Sequence, residues 1–114
     1  MRRPECAFSN FAALDIRVAV VVAAEPFEAA RVPAMLLRLD CGQEVGVLKT
    51  SAQITQRYTP GALLGKRVLA VVNLPKKQIG PILSECLILG AVDPAEGVTL
   101  LCTDHDCAPG TQIA

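Results

Sequence analysis

Two small sets of side chains carry the chemistry in this chain. Lys49, Ser51 and Gln53 lie at and just beyond the end of an apolar run. Asn73, Lys76, Lys77 and Ser84 fall in the connection between two others, Val68–Val72 and Cys86–Ala91. A lysine ammonium binds phosphate as a point charge, while Asn, Gln and Ser can hydrogen-bond phosphate, sugar or base edges. Grouped at the ends of rigid strands, these residue types suit contact with a nucleic acid. Asn73 and Ser84 are equally suited to a structural task, satisfying backbone groups in the turn.

Other constellations carry less. Cys102, Asp104, His105, Asp106 and Cys107 crowd a short segment, but a tetrahedral structural metal site takes ligand pairs from two separated knuckles. The expectation here is an exposed turn and no metal. His105 is the only histidine, and no Ser or Cys stands at a spacing that would make it a nucleophile's base. Glu85, beside Ser84 at a strand start, reads as a hydrogen-bonded structural carboxylate. No G-x-G-x-x-G or phosphate-binding P-loop occurs. The expectation is a binding protein, not an enzyme, with no cofactor.

The elements that must position these residues are short. Phe8–Leu14 has apolar residues on one face of a short helix, with Ser9 or Asn10 as its cap. Asp15–Pro26 reads as a long strand whose Val and Ala residues fall on both faces, ended by a proline. Ala34–Asp40 and Glu44–Thr50 flank Cys41-Gly42-Gln43 and form an antiparallel hairpin in which Gly42 supplies a positive φ. Ser51–Tyr58 is polar and begins with a turn or short helix. Thr59-Pro60 through Gly65 has an N-cap candidate, a proline at the first helical position and a glycine past the end, so a helix of one or two turns is expected. Strands at Val68–Val72, Cys86–Ala91 and Val98–Cys102 complete the order. Five or six short strands with one helix before the fourth suit an all-β, five-stranded Greek-key barrel of the OB type, with short helices and terminal extensions.

With 114 residues there is room for one domain, and it spans residues 1–114. Hydrophobic residues make up 52% of it and aromatic residues only 4%, so small aliphatic side chains build the core. A small domain has much surface for its volume, so this apolar excess points to burial against a second copy. The apolar run Val18–Ala24 is too short to cross a bilayer, for which roughly 20 residues are needed, so no membrane insertion is expected. The odd count of five cysteines, none in a C-x-x-C pair, fits reduced thiols and a cytoplasmic location. Net charge is zero, yet all 11 basic residues lie at or before Lys77. Between Val45 and Lys77 there are six (Lys49, Arg57, Lys66, Arg67, Lys76, Lys77) and no acid. That basic middle can meet a polyanion, or be neutralised by the acidic C-terminal part. Only four aromatic residues exist and none falls in an expected strand, so a structured RNA suits this chain better than an extended single strand.

Asp15-Ile16-Arg17-Val18, Lys49-Thr50-Ser51-Ala52-Gln53-Ile54, Val71-Val72-Asn73-Leu74-Pro75 and Gln78-Ile79-Gly80-Pro81 with Ser84-Glu85 give the chain a family likeness. From about Phe11 onward it resembles the tRNA-binding domain family, most closely the bacterial CsaA-type secretion chaperones. Similar domains are appended to methionyl-tRNA synthetases and to the human endothelial monocyte-activating polypeptide. The resemblance implies an OB-fold, a homodimer to which the terminal segments contribute, and binding of tRNA or tRNA-like structured RNA. For the chaperone branch it also implies binding of unfolded preproteins in export. It implies RNA contacts at Arg17, Lys49, Ser51, Gln53, Asn73, Lys76, Lys77 and Ser84. The chain departs from the family at Ala19, where the DIRV motif commonly continues with Gly, and at the Cys102–Cys107 segment.

Overall fold

The run of Val and Ala after Asp15 becomes β1 (Ile16–Pro26), the longest strand and the spine of the molecule. A computed structural model describes all 114 residues. Residues Ile16–Val20 pair antiparallel with β4 (Arg67–Val71), and Val20–Pro26 pair antiparallel with β2 (Met35–Asp40). The β1–β2 register slips between Val21 and Ala23, leaving Val22 as the extra residue of a bulge. A bulge bends its strand and tightens the twist, which lets one strand serve two neighbours that diverge. The Ala19 methyl is fully buried in the core beside this bend.

β2 and β3 (Val47–Ala52) form the expected hairpin, though β3 begins at Val47 and not Glu44, so the connection runs over residues 41–46. Its turn places Gly42 at φ +91°, where the Asp40 carboxylate accepts the Gly42 N–H at 3.0 Å. Ser51 and Ala52 extend β3 where the sequence suggested a turn. The five-stranded sheet runs β3-β2-β1-β4-β7, with β7 at Leu87–Ile88, and curls into a nearly closed all-β barrel. Helix α2 (Pro60–Leu63) has the expected ends: Thr59 Oγ1 accepts the Ala62 N–H at 3.4 Å, Pro60 opens it and Gly65 follows at φ +81°. It drops Leu63, fully buried, into a core built by Val21, Leu37, Leu39, Val68 and Ala70.

Four expectations need correction. Helix α1 covers only Phe8–Ala12, and its cap is Ala7 with no side-chain hydrogen bond, not Ser9 or Asn10. The single strand over Cys86–Ala91 is two: β7 pairs with β4, and β8 (Gly90–Asp93) turns away to pair with β9 (Gly97–Leu100). Leu89 joins them, donating to Leu69 O at 2.8 Å and accepting from Leu101 N at 3.3 Å. The last strand therefore ends before Cys102. The connection after Val72 is itself a hairpin of β5 (Lys77–Ile79) and β6 (Ile82–Ser84). Its two-residue turn is Gly80-Pro81, with Gly80 at φ +54°, the glycine-first pattern of tight hairpins.

The C-terminal residues return to β1 as a strap. Gly110 N donates to Val18 O at 2.7 Å, Val18 N to Thr111 O at 2.9 Å, and Ile113 N to Ile16 O at 2.9 Å. This backbone cover explains why Ile16 through Ala19 are all buried, with no alternation. The strap crosses the β2–β3 turn where two glycines meet. A Cβ on Gly42 would lie 2.7 Å from Gly110 Cα and 2.8 Å from Pro109 O. Gly42→Ala therefore combines left-handed backbone strain with a clash, and should cost about 2 kcal/mol or more in urea unfolding. Hydrogen exchange at Val18 and Ile113 should accelerate; unchanged exchange would show that the strap does not depend on this approach.

Candidate nucleic-acid interface

The two sets of candidate residues meet at the seam of the barrel, and the Ser84-Glu85 dipeptide joins them. Ser84 lies opposite Lys77 on the β5–β6 ladder. Its buried Oγ accepts the Ser51 N–H at 3.2 Å and lies 3.3 Å from Thr50 Oγ1. Thr50 Oγ1 donates to Cys86 O at 2.8 Å. Glu85 N donates to Lys49 O at 2.8 Å, and Glu85 Oε1 accepts the Lys49 N–H at 2.9 Å. Glu85 Oε2 lies 3.5 Å from Lys76 Nζ. One dipeptide thus fixes the end of β3 against the segment that carries Lys76 and Lys77.

The residues divide by what their side chains do. Arg17 is buried, its side chain 6% exposed. Its guanidinium donates to Asp15 Oδ1 at 2.6 Å, Glu44 Oε1 at 3.3 Å and Gly110 O at 3.2 Å. Hydrogen bonding to Asp15 raises its already high pKa, so it is a fixed cation that holds the strap and not part of the exposed seam. Asn73 Oδ1 accepts the Asp15 N–H and its Nδ2 donates to Ala13 O, both at 2.8 Å, tying the chain after α1 to the end of β4. Ser84 serves the seam. For Asn73 and Ser84 the structural task is the one the geometry displays. Lys49, Ser51, Gln53 and Lys77 are different: their side chains make no intramolecular hydrogen bond or ion pair.

The basic middle is partly answered from the acidic C-terminal part. Arg57 lies 3.7 Å from Glu96, Arg67 3.5 Å from Asp106, and Lys76 3.5 Å from Glu85. Arg67 also donates to Cys107 O at 2.8 Å, giving the segment after β9 an anchor. Lys49, Lys66 and Lys77 make no ion pair, although the Lys49 charge also acts on the Glu85 carboxyl. In the Cys102–Cys107 segment, Thr103 Oγ1 donates to His105 O at 2.6 Å and His105 is exposed, the expected surface turn. Burial pushes the Cys41 thiol up to about 11 and the Cys86 thiol up to about 12, so both sit in the core as small apolar groups.

Beside the seam runs a groove of about 520 Å³ between the end of β3 and the β7–β8 stretch. Ser51, Gln53, Lys77 and Ser84 line it together with an apolar floor that includes Ile54, Leu74, Ile79 and Ile88. Those floor residues lie outside the predicted set, because aliphatic positions in short strands look alike whether they face a core or a groove. The Gly80-Pro81 dipeptide between two isoleucines was the available signal for the hairpin that forms one wall.

The Lys49 amide, donated to Glu85, and then the Lys76 ammonium hold that carboxyl below the usual carboxylate range. A group whose folded pKa is depressed contributes stability that is full above its unfolded pKa, near 4.3, and is lost as pH falls through the folded value. Glu85→Gln keeps an acceptor for the Lys49 amide but no proton to bind. Its unfolding free energy should fall less than that of the wild type between about pH 5 and pH 3. Glu85→Ala, leaving that amide unpartnered, should cost about 1–3 kcal/mol at pH 7. Parallel acid slopes for the wild type and Glu85→Gln would remove Glu85 as the source.

Residues 16–112 match the model of the family described as "Putative tRNA binding domain". Among solved structures, the chain is similar to the chaperone CsaA from Bacillus anthracis str. Ames, with a TM-score of 0.92 and 43% identity over 97% of this chain and 100% of that one. It is also similar to the CsaA chaperone protein from Picrophilus torridus, with a TM-score of 0.91 and 39% identity over 96% of this chain and 100% of that one. A methionine–tRNA ligase from Porphyromonas gingivalis is 33% identical over 109 residues, which are 96% of this chain. The chain spans only 16% of that ligase's length. With the barrel, the seam motifs and the family match running together over residues 16–112, this chain belongs to the tRNA-binding domain family.

Proposed function

We propose that this chain is a homodimeric, non-catalytic module that binds tRNA or tRNA-like structured RNA, with the barrel seam as the contact surface. The observation that carries the reading is the set of unengaged side chains at Lys49, Ser51, Gln53 and Lys77, held beside one another by Ser84 and Glu85 in a family described by tRNA binding. Lys49 and Lys77 take phosphates, Lys76 joins them from its pairing with Glu85, and Ser51 and Gln53 hydrogen-bond sugar or base. Ser84 acts by holding this surface in place, while Arg17 fastens the C-terminal strap and Asn73 the chain after α1. The pairing of Lys76 with Glu85 is exposed at its lysine end, so exchanging it for a phosphate costs little.

The dimer draws on α1. Phe8 and Phe11 are 78% and 41% exposed, and their rings pair with each other, with centroids 6.0 Å apart. No residue of that helix is buried within its own chain. Two phenylalanines on a one-turn helix suit a seat on a second copy, so each dimer presents two RNA surfaces. No helix is long and apolar enough to cross a membrane. A cytoplasmic location follows from the RNA partner.

A second reading is a chaperone for unfolded preproteins in export. The likeness to two CsaA chaperones over nearly the whole chain favours it, as does the apolar floor of the groove. Salt separates the two, because phosphate contacts release counterions and apolar contacts do not.

Lys76→Ala/Lys77→Ala should weaken binding of a tRNA transcript, and the slope of log K against log salt should fall by roughly one per lost contact. An unchanged slope would remove both lysines from the interface. In sedimentation, Phe8→Ser/Phe11→Ser should shift the chain from dimer to monomer without loss of the folded core, whose buried residues lie elsewhere. A dimer that survives both serines seats on another face.

A further inference from the structure

We propose that the groove beside the seam is a subsite for one unpaired nucleobase of the bound RNA, with its phosphate on Lys77 and its edge toward Gln53 and Ser51. The inference rests on the RNA reading above and adds to it that a base is read.

The groove's volume, about 520 Å³, falls within the range of small-ligand pockets, roughly 300–1,000 Å³. Its composition is divided. Its lining is aliphatic at Ile54, Leu74 and Ile88, while Ser51, Gln53 and Lys77 line it with side chains that have no partner in the chain. Ser51 Oγ and the Gln53 amide each both donate and accept, and Lys77 only donates, as a cation. A purely apolar occupant would cover these groups and leave them dehydrated and unpaired, at a cost for each. An unpaired nucleotide answers all of them: a flat face for the aliphatic floor, donors and acceptors on its edge, and a phosphate for the lysine. No acid lies between Val45 and Lys77 in the sequence, no acid lines the groove, and Glu85, beside Ser84, is turned to Lys49 and Lys76.

A single base, and not a stacked run, fits the lining. Binding of extended single strands relies on successive aromatic platforms, and none of Phe8, Phe11, Phe27 or Tyr58 lines the groove. A base splayed out of an RNA loop can instead be held between apolar side chains. Structured RNA supplies such bases, so backbone recognition by the lysines and insertion of one base are compatible on one surface.

The test uses the full chain, an unmodified tRNA transcript and the four nucleoside 5′-monophosphates. At least one monophosphate should shift the amide resonances of Ser51, Gln53 and Ile88. Gln53→Ala and Leu74→Ala, both at exposed positions, should each lower transcript affinity about tenfold, or about 1.4 kcal/mol, with the salt slope unchanged. Lys77→Ala should lower the slope as well. Wild-type affinity in both uncharged variants, with no monophosphate shifting the groove, overturns the subsite and leaves RNA binding standing. A wild-type chain that fails to bind the transcript overturns both. An apolar octapeptide that shifts these amides where no monophosphate does assigns the groove to polypeptide and overturns the base.

Discussion

The barrel closes through side chains and not through a strand ladder, and much of the surface depends on that substitution. Where β3 should meet the strand that follows the β5–β6 hairpin, one backbone bond, Glu85 N to Lys49 O, is joined by bonds from Glu85, Ser84 and Thr50 side chains. Each answers a backbone group that a continuous ladder would have paired. A ladder would have brought the strands into register along their length and filled the space between them. Side-chain bridges hold them together only at Lys49, Thr50 and Ser51, and the groove lies beside them, lined by residues 51–54 and 86–90. Rigidity and an open cleft thus share one cause. The buried hydroxyls of Thr50 and Ser84 also set a strict requirement, since removing Ser84 takes the partner of the Ser51 N–H and removing Thr50 takes a donor from the Cys86 carbonyl.

A second polar cluster does similar work on the opposite side of β1. Arg17 is a buried cation between two carboxylates and a carbonyl, and through Gly110 it ties the C-terminal strap over the strand that spans the whole sheet. A buried ion pair is costly to assemble and costly to break, so its value lies more in fixing one arrangement than in net stability. The strap covers the edge of β1 that would otherwise expose backbone groups, and exposed edges invite pairing with other chains. What looks like a cationic contact in the sequence is a clasp. Its position explains why a basic residue can sit in an otherwise apolar run.

Much of the scaffold was legible in the sequence, and the parts that were not share a reason. The long first strand, the Gly42 hairpin and the Thr59–Gly65 helix follow from local chemistry: a proline stop, a glycine at positive φ, a hydroxyl cap. The division of Cys86–Ala91 at Leu89 was invisible, because nothing local marks a strand that changes partners; Gly90 admits the close approach of β9, and that is known only once β9 is in place. Of the candidate site, the residues and their grouping were readable. A backbone-satisfying task for Asn73 and Ser84 was open in the sequence, but not their partners, 58 and 33 residues away. Nothing marked Arg17 as bonding Glu44 and Gly110, 27 and 93 residues away. The motif match drew them in with the others because residues that hold a surface and residues that touch a ligand lie side by side.

The charge distribution takes a different meaning once the acids are placed. The sequence pairs a basic middle with an acidic end, and folding brings Glu85, Glu96 and Asp106 to Lys76, Arg57 and Arg67. Three of the six cations in the acid-free run are therefore answered within the chain, and the field that remains is local, centred on Lys49 and Lys77, with Lys66 elsewhere at the end of α2. A weak, local field cannot draw in polyanions over long distances at physiological salt, where charges are screened within about 8 Å. It can, however, orient a phosphate already close to the groove. Selectivity on such a surface has to come from shape and from short-range hydrogen bonds, not from bulk attraction. In the proposed RNA contact, the uncharged pair, Ser51 and Gln53, therefore weighs as much as the lysines beside it.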